Sequence, residues 1–406
     1  MKDKVVMLFL DAFSSKYVKA NLCPTIYKLS QENFFSELEP MFAFQGIGAT
    51  MFSGTWPNST DVWTEYVLDK NDIHKKSILS EKMIELADLI PNDKLNWYLR
   101  YSLIKLRGKK YVGTSTLIPG KLAKYFTTKL QKNYPDPDSL GQLKTVFDVL
   151  RENDLDYNYL TPGERREKRS IDLLCKNLRK NLVPTLTSLQ LSSLDVIGHS
   201  HGPLSQEVQK TIRQIDEVVK NIFEASRASS DNIHLVIFSD HGMSSVKHLL
   251  NVWKILDDLP IKLGKDYLVF LDSTMARFWF FTSDSQRSIE EAFAKVAGGR
   301  ILDKSQMQQF HIEQLGEEHG QMIFALNDGT VLYPDYFRRY KPPKGMHGYY
   351  DAKDNAILLV CSSKNKKFAN KFRGIKNARM IDIMPTVLNL LELSVPNTCK
   401  GVNVLV

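Results

Sequence analysis

The sequence is poor in cysteine and has no long hydrophobic run. Its 406 residues include four cysteines, with no C-x-x-C spacing among them: Cys23, Cys175, Cys361 and Cys399. We therefore expect neither a disulfide framework nor a zinc–thiolate site, and we predict a reducing compartment, the cytoplasm. The first apolar run, Val5 to Leu10, is too short for a signal-peptide core or a membrane span. This predicts a chain without transmembrane segments, with peripheral contact to a membrane as an open alternative.

The charge balance is mildly basic. Lys and Arg together number 54 against 46 Asp and Glu, which gives a net charge of +8 and favours anionic partners such as a phosphorylated small molecule or a lipid-linked phosphate. No recognisable nucleic-acid module accompanies the charge, so nucleic-acid binding is disfavoured. A hydrophobic fraction of 43% excludes extensive disorder.

Short apolar runs of strand length recur along the chain and are separated by helical patterns. They lie at 5–11, 186–195, 234–242 and 356–363, and three of them run into Asp or Asp-His. Such alternation predicts an α/β fold with a mostly parallel sheet. Because loops converge at the carboxyl ends of parallel strands, we expect the chemistry at that edge.

Changes in composition divide the chain into a core and two insertions. We assign 1–66, 141–255 and 341–406 to an α/β core, 67–140 to a basic helical insertion, and 256–340 to a small α+β cap. The preferred interpretation of the lysine-rich and tyrosine-rich insertion is an amphipathic helical cap with a solvated basic face. The alternative is a patch for an anionic substrate or a membrane surface.

Three carboxylates and three imidazoles follow the predicted strands. They are Asp11, Asp195, His199, Asp240, His241 and His347. Nitrogen and carboxylate oxygen suit zinc, manganese or iron(II), and six such groups make two sites of three ligands. Two cations about 4 Å apart stabilise the charge that phosphoryl transfer places on several oxygens at once. The residues therefore predict a two-metal centre.

Several stretches that carry these residues resemble a known family. They are VVMLFLDAF at 5–13, SSLDVIGHSHGPLSQEV at 192–208, VIFSDHGMSSV at 236–246 and GMHGYYD at 345–351. In this order they resemble the nucleotide pyrophosphatase/phosphodiesterase branch of the alkaline phosphatase superfamily. The resemblance implies an alkaline-phosphatase-like three-layer sandwich with a mostly parallel central sheet, and it covers neither insertion.

The resemblance also implies how the ligands are shared between two divalent ions, zinc in the first instance and manganese or iron as alternatives. One ion would be held by Asp195, His199 and His347. The other would be held by the remaining three residues, Asp11, Asp240 and His241.

The expected nucleophile is missing from its usual position. Enzymes of this branch carry Thr or Ser at a helix N-terminus, and alignment on 53–54 puts that position at Phe44 or Gln45, which have no suitable hydroxyl. Thr50 is a nearby hydroxyl and is the candidate catalytic residue. Alternatively, Gly46 and Gly48 let the backbone approach the phosphate closely while a metal-bound hydroxide attacks.

These features predict a metal-dependent hydrolase of phosphodiester or pyrophosphate bonds. Nucleotide-sugar or lipid-linked diphosphates are the favoured substrates because the insertion is basic and aromatic. Two alternatives stay open: a phosphotransferase or phosphomonoesterase on the same core, and a catalytically silent, metal-dependent binder of a phosphorylated ligand. The second alternative is motivated by Phe44 and Gln45.

Overall fold

The architecture was analysed in a computed structural model of the chain. The residues that the structure describes are 3–43, 46–69, 85–86, 88–106, 117–313, 316–364, 368 and 377–405.

Strands and helices alternate through most of this part of the chain. The strands are β1 Asp3–Leu10, β2 Phe34–Leu38, β3 Tyr66–Leu68, β4 Phe126–Thr128, β5 Tyr157–Leu160, β6 Leu186–Leu191, β7 Asn232–Phe238, β8 Ser244–Ser245, β9 His248–Leu250, β10 Tyr267–Asp272, β11 Met275–Phe280, β12 Gly299–Ile301, β13 Met322–Leu326, β14 Thr330–Leu332, β15 Gly345–Met346 and β16 Ala356–Ser362. The helices are α1 Pro24–Glu32, α2 Ile47–Ser53, α3 Pro57–Thr60, α4 Asp93–Leu106, α5 Val146–Glu152, α6 Glu167–Arg179, α7 Ser193–His201, α8 Gln206–Ala228, α9 Val252–Asp257, α10 Ser283–Phe293, α11 Lys304–Gln309 and α12 Ile383–Leu390.

The central sheet has the strand order β2-β16-β7-β1-β6-β5. The neighbours β7, β1, β6 and β5 run parallel, and β16 is antiparallel to both of its neighbours. Strand β1 lies between β6 and β7, so Val5 pairs with Leu186 on one side and with His234 on the other. The carboxyl ends of these three strands therefore meet at one edge, which we call the catalytic edge.

Alternate residues of β1 build two hydrophobic cores. Val5 and Met7 pack with residues of α2, α5 and α12, whereas Val6 and Leu8 pack with residues of α1, α6 and α8. A strand presents successive side chains to opposite faces, so one fully buried strand serves both layers of helices. The result is a three-layer sandwich.

A second, antiparallel sheet has the order β10-β11-β13-β12 and lies within the stretch 256–340 predicted as an α+β cap. The hairpin of β3 and β4 packs on it, and the rings of Tyr66 and Phe126 lie 5.5 and 5.1 Å from the ring of Phe270. About a third of the predicted basic insertion, at 70–84, 87 and 107–116, lies outside the described residues.

The predicted α/β class and mostly parallel central sheet are confirmed. Among the helices in the described ranges, none combines the length and the apolar character that crossing a membrane requires.

Candidate metal centre

Three loops and one helix at the catalytic edge bring the predicted ligands together. Asp11 follows β1 directly, and Asp240 and His241 follow β7 after one residue. Helix α7 begins two residues after β6 and carries Asp195 and His199, which lie one helical turn apart on the same face. His347 follows β15.

Asp195, His199 and His347 form one compact triad. The Oδ1 atom of Asp195 lies 3.2 Å from Nε2 of His199 and 3.3 Å from Nε2 of His347, and the two Nε2 atoms are 3.3 Å apart. Ligands about 2.0–2.1 Å from a tetrahedral zinc ion are themselves separated by about 3.3 Å. The triad therefore has the spacing of one face of a tetrahedral metal site.

Asp11, Asp240 and His241 form the second triad. Nε2 of His241 lies 3.2 Å from Oδ2 of Asp240 and 3.7 Å from Oδ1 of Asp11. One ligand atom from each residue lies within 4.8 Å of the others. The two triads adjoin each other, since the rings of His241 and His347 stack with centroids 3.5 Å apart.

Backbone carbonyls fix the orientation of two of the imidazoles. Nδ1 of His199 lies 2.8 Å from the carbonyl oxygen of Gly345, and Nδ1 of His241 lies 2.8 Å from that of Gly242. A ring that donates its Nδ1–H to a carbonyl leaves the lone pair of Nε2 for a metal ion. In both residues that Nε2 atom faces the carboxylates.

Burial and mutual repulsion raise the pKa of one carboxyl group. The pKa of Asp11 is well above its usual range because burial disfavours its charge and because Asp240 and Asp195 repel it. Burial also disfavours the charged form of His241, but the carboxylates of Asp240 and Asp11 outweigh this effect and raise the pKa of His241 to about 10.

The other triad shows the opposite pattern. Burial disfavours the charge of Asp195, yet His199 and His347 reverse this effect and bring the pKa of Asp195 well below its usual range. The pKa of His347 falls to about 3, first through burial and then through repulsion from His241. Bound cations would stabilise the charged carboxylate of Asp11 and the neutral imidazole of His241, both of which their present surroundings disfavour.

Across the residues that the structure describes, no Lys or Arg forms an ion pair with Asp11, Asp195 or Asp240. In that part of the chain, their ion-pair partners are histidines of the same cluster. Three buried or half-buried carboxylates without a cationic side chain fit a site for two divalent ions, and the donor set suits zinc, manganese or iron(II).

The cluster opens into a cavity of about 840 Å³. All six predicted ligands line it. Trp97 of α4 and Tyr134 contribute from the predicted insertion, and Ser273 and Arg338 contribute from the predicted cap. The cavity therefore has acidic and imidazole groups at its base and aromatic groups in its wall.

The structure places Thr50 away from this wall. Its side chain is fully buried within α2, whereas the wall is formed by Ile47, Gly48 and Met51 of the same helix. The geometry gives no support to Thr50 as the nucleophile, which stays a prediction. Phe44 and Gln45 lie outside the described residues.

The two glycines before and within α2 have structural reasons to be glycine. Gly46 has φ +87°, and a Cβ atom there would lie 2.8 Å from the carbonyl oxygen of Val62. A Cβ atom on Gly48 would lie 2.5 Å from the ring of Tyr134. Both glycines line the cavity that the metal ligands share.

Sequence reasoning missed Gln190 and a third group of potential ligands. Gln190 near the end of β6 donates a hydrogen bond from Nε2 to Oδ2 of Asp11 at 3.0 Å. Its position next to β1 in the parallel sheet was the available signal. Asp61, Glu318 and His319 also meet, but Lys129 pairs with both carboxylates of this group and supplies its positive charge.

Comparisons with known proteins identify the family of the chain. A sequence model of the type I phosphodiesterase / nucleotide pyrophosphatase family matches residues 5–349. Ectonucleotide pyrophosphatase/phosphodiesterase family member 1 from Mus musculus is 25% identical over 264 residues, which are 63% of this chain and 26% of that protein. Family member 7 from Mus musculus is 32% identical over 115 residues, 28% of this chain and 25% of that protein. This chain thus spans about a quarter of these curated relatives.

Solved structures show the same fold. Murine ectonucleotide pyrophosphatase/phosphodiesterase 5 superposes with a TM-score of 0.65 at 13% identity, over 97% of this chain and 96% of that one. The human protein of the same name gives a TM-score of 0.67 at 14% identity, over 98% and 97%. The length of the family match, taken with this fold and the geometry of the catalytic edge, decides the assignment. The chain belongs to the type I phosphodiesterase / nucleotide pyrophosphatase family.

Proposed function

We propose that this protein is a two-metal hydrolase of phosphodiester or pyrophosphate bonds. The observation that carries the proposal is the pair of adjoining triads at the catalytic edge, in which Nε2 atoms and carboxylate oxygens face one another. His241 also lies within ligand distance of Asp195 and His347, and no Lys or Arg of the described residues forms an ion pair with the three carboxylates. Asp195, His199 and His347 would hold one ion, and Asp11, Asp240 and His241 the other. Bound divalent cations supply Lewis-acid stabilisation of the charge on phosphoryl oxygens.

The chain's own residues supply orientation and substrate contact. The carbonyl oxygens of Gly345 and Gly242 hold His199 and His241 with Nε2 facing the carboxylates, and Gln190 holds Asp11. Such outer hydrogen bonds fix the geometry of a metal ligand before substrate arrives.

The wall of the cavity favours a substrate with two different ends. Trp97, Tyr134 and Tyr159 offer aromatic surface for an apolar or planar group, and Arg338 offers a positive charge for a second anionic group. These features support a diphosphate joined to a nucleoside, a sugar or a lipid, which is the substrate class that we propose.

We propose zinc as the resident metal because histidine nitrogen makes up half of the donor set and the first triad has tetrahedral spacing. We also propose a reducing compartment, the cytoplasm. This is supported by four free cysteines, three of them buried, that form no disulfide. Fractionation of cells that express the protein would test the location.

Hydrolysis of activated aryl esters tests the activity. Metal-depleted protein would be supplied with Zn²⁺ or Mn²⁺ and assayed on bis(p-nitrophenyl) phosphate, on p-nitrophenyl phosphate and on a nucleoside diphosphate sugar, with Asp240→Ala as the matched control. We expect metal-dependent turnover of the diester and of the pyrophosphate, with the monoester slower.

The same assay separates the two alternatives. Faster turnover of the monoester would favour a phosphomonoesterase, and transfer of the phosphoryl group to an added alcohol would favour a phosphotransferase. Turnover no greater than that of Asp240→Ala on every ester, together with metal-dependent binding of a non-hydrolysable diphosphate, would favour the silent binder and overturn the proposal.

A further inference from the structure

A strongly basic surface adjoins the mouth of the cavity. Strand β5 ends at Leu160, the next residue, Thr161, lines the cavity, and the chain then enters the segment 162–182 that contains α6. Between 164 and 180 this segment carries seven Lys or Arg and three Asp or Glu, a net charge of +4 out of +8 for the whole chain. Half of the excess positive charge therefore lies in one short segment that begins three residues after the cavity-lining Thr161.

The cations of α6 share one exposed face. Arg166, Arg169, Leu173, Lys176 and Lys180 follow the helical spacing of three or four residues, and all five are exposed. The opposite face, with Leu174 and Leu178, packs into the core against α8. We call the exposed side the α6 face.

The first part of the α6 face surrounds a shallow pocket. Pro162, Arg166, Arg169, Ser170 and Leu173 line this pocket, which measures about 520 Å³. It is large enough to admit an anionic head group between the two arginines.

The acidic residues of the segment do not neutralise the α6 face. The Glu167 carboxylate turns inward, where its Oε1 accepts hydrogen bonds from the backbone N–H groups of Ser192 at 2.6 Å and Ser193 at 2.9 Å. Within the ranges that the structure describes, none of the seven Lys and Arg side chains of the segment has an ion-pair partner. Glu164 and Asp172 are exposed beside the cations but pair with none of them in the described ranges, so the surface keeps a net positive charge.

Two exposed leucines distinguish this surface from a purely electrostatic patch. The side chains of Leu173 and Leu182 are 53% and 65% exposed among the cations. Helices that lie on membranes combine basic residues, which contact anionic lipid, with apolar side chains that enter the boundary between head groups and acyl chains. Exposed leucine would not strengthen the binding of a nucleic acid, which is contacted through its phosphates and by stacking on its bases. The mixture favours a bilayer.

We propose that the α6 face docks the protein on an anionic lipid bilayer, with the mouth of the cavity beside the lipid surface. The docking does not depend on the proposed hydrolase activity, because it uses none of the cavity residues that would hold metal. Each basic residue near an anionic membrane strengthens partition about fivefold. Several of them together with the leucines give reversible, salt-sensitive binding.

Sedimentation with vesicles tests the docking. The full chain would be mixed with vesicles of phosphatidylcholine alone or of phosphatidylcholine with phosphatidylserine, at low and at high salt. We expect binding only to vesicles that contain phosphatidylserine, weakening as salt rises. The double variant Arg166→Glu/Arg169→Glu should lose at least about tenfold in partition, and Leu173→Ser about threefold.

A matched control separates docking from general charge attraction. Lys210→Glu/Arg213→Glu makes the same charge change on the exposed side of α8, outside the α6 face, and should bind like the unaltered protein. Circular dichroism of each variant would establish that it is folded. An equal loss for the α8 variant would overturn the proposal. The proposal would also be overturned if the protein bound duplex DNA more tightly than anionic vesicles and if Leu173→Ser left its affinity for DNA unchanged.

Discussion

Two buried polar clusters in this protein neutralise their carboxylates in opposite ways. In the small antiparallel sheet, the fully buried Asp272 accepts a hydrogen bond of 2.7 Å from Nε of Arg277, which also donates to Thr64 and to the carbonyl oxygen of His319. We call these groups the Arg277 cluster. At the catalytic edge, the ion-pair partners that Asp11, Asp195 and Asp240 have among the described residues are histidines.

The difference separates a structural cluster from a site built for a ligand. Burial raises the pKa of Asp272, and the adjacent Arg277 guanidinium counters that effect from within the chain. Burial raises the pKa of Asp11 as well, but its carboxylate neighbours add to the effect. A buried carboxylate that is paired inside the protein needs no further cation, whereas three carboxylates with no Lys or Arg partner leave a place for one.

The largest predicted effect comes from removing one negative charge at the catalytic edge. Asp240→Asn keeps the side-chain shape and its ability to accept the hydrogen bond from the His241 N–H, now 3.0 Å long. We expect the rate of metal-dependent diester hydrolysis to fall roughly 10⁴-fold, since a metal centre contributes several kcal/mol to transition-state stability. Steady-state assays at saturating metal would measure it.

The same variant should leave the metal-free fold intact. Removing the Asp240 charge relieves its repulsion of Asp11 but also removes its attraction for the charged His241 ring. These effects oppose each other, so chemical denaturation of metal-free Asp240→Asn should show a stability close to that of the unaltered protein. A marked loss of stability would mean that the catalytic edge is held together by its own charges, and the comparison between the clusters would fail.

Loss of a charge in the Arg277 cluster should lower the stability of the fold. Arg277→Met leaves Asp272 buried without its partner, and we expect a loss of about 3 kcal/mol in the free energy of unfolding that added metal does not restore. Denaturant titration would measure it. Arg300→Met on β12 of the same sheet is the matched control. Arg300 is exposed and lies over the ring of Tyr350, so this change should cost no more than about 1 kcal/mol. Equal losses of unfolding free energy in both variants would show that the buried Asp272–Arg277 pair is no more important for stability than an exposed arginine.

Sequence reasoning located the catalytic edge because its signals are local. Asp11, Asp240 and His241 each follow a continuous apolar run, and β1 and β7 are buried on both faces, so the period of the strand and its end are visible in the residues themselves. The spacing of Asp195 and His199 is likewise that of one helical turn.

The Arg277 cluster could not be predicted in this way. Asp272, Arg277 and Thr64 come together only because β10 pairs with β11 and because the β3–β4 hairpin packs on their sheet. Nothing near Thr64 in the sequence indicates a partner that lies 213 positions away. The exposed α6 face was missed for a related reason, since only burial of Leu174 and Leu178 shows which side of the helix faces water.

Removal of metal should lower the stability of the protein through the catalytic edge and not through the Arg277 cluster. Zn²⁺ at a hundred times its dissociation constant should stabilise the folded chain by about 2.7 kcal/mol, and a chelator should reverse this. Asp195→Asn should reduce this metal-dependent stabilisation because it weakens one triad. Arg277→Met should keep the full metal-dependent stabilisation, although its metal-free form is less stable than the unaltered protein. Thermal unfolding with and without metal would measure these shifts. No shift in the unaltered protein would argue against a metal centre.

The smallest predicted effect concerns the hydrogen bond by which Gln190 orients the metal ligand Asp11. Gln190→Leu removes the donor to Oδ2 of Asp11 while the other five ligands keep their own partners. Loss of such a bond weakens metal affinity by about 10- to 100-fold, and it should leave the free energy of unfolding of the metal-free chain nearly unchanged. Competition with a zinc indicator would measure the affinity, and Gln209→Leu on the exposed side of α8 is the control. An unchanged affinity would show that the sheet alone fixes Asp11, because its backbone N–H is already bonded to the carbonyl oxygen of Leu191.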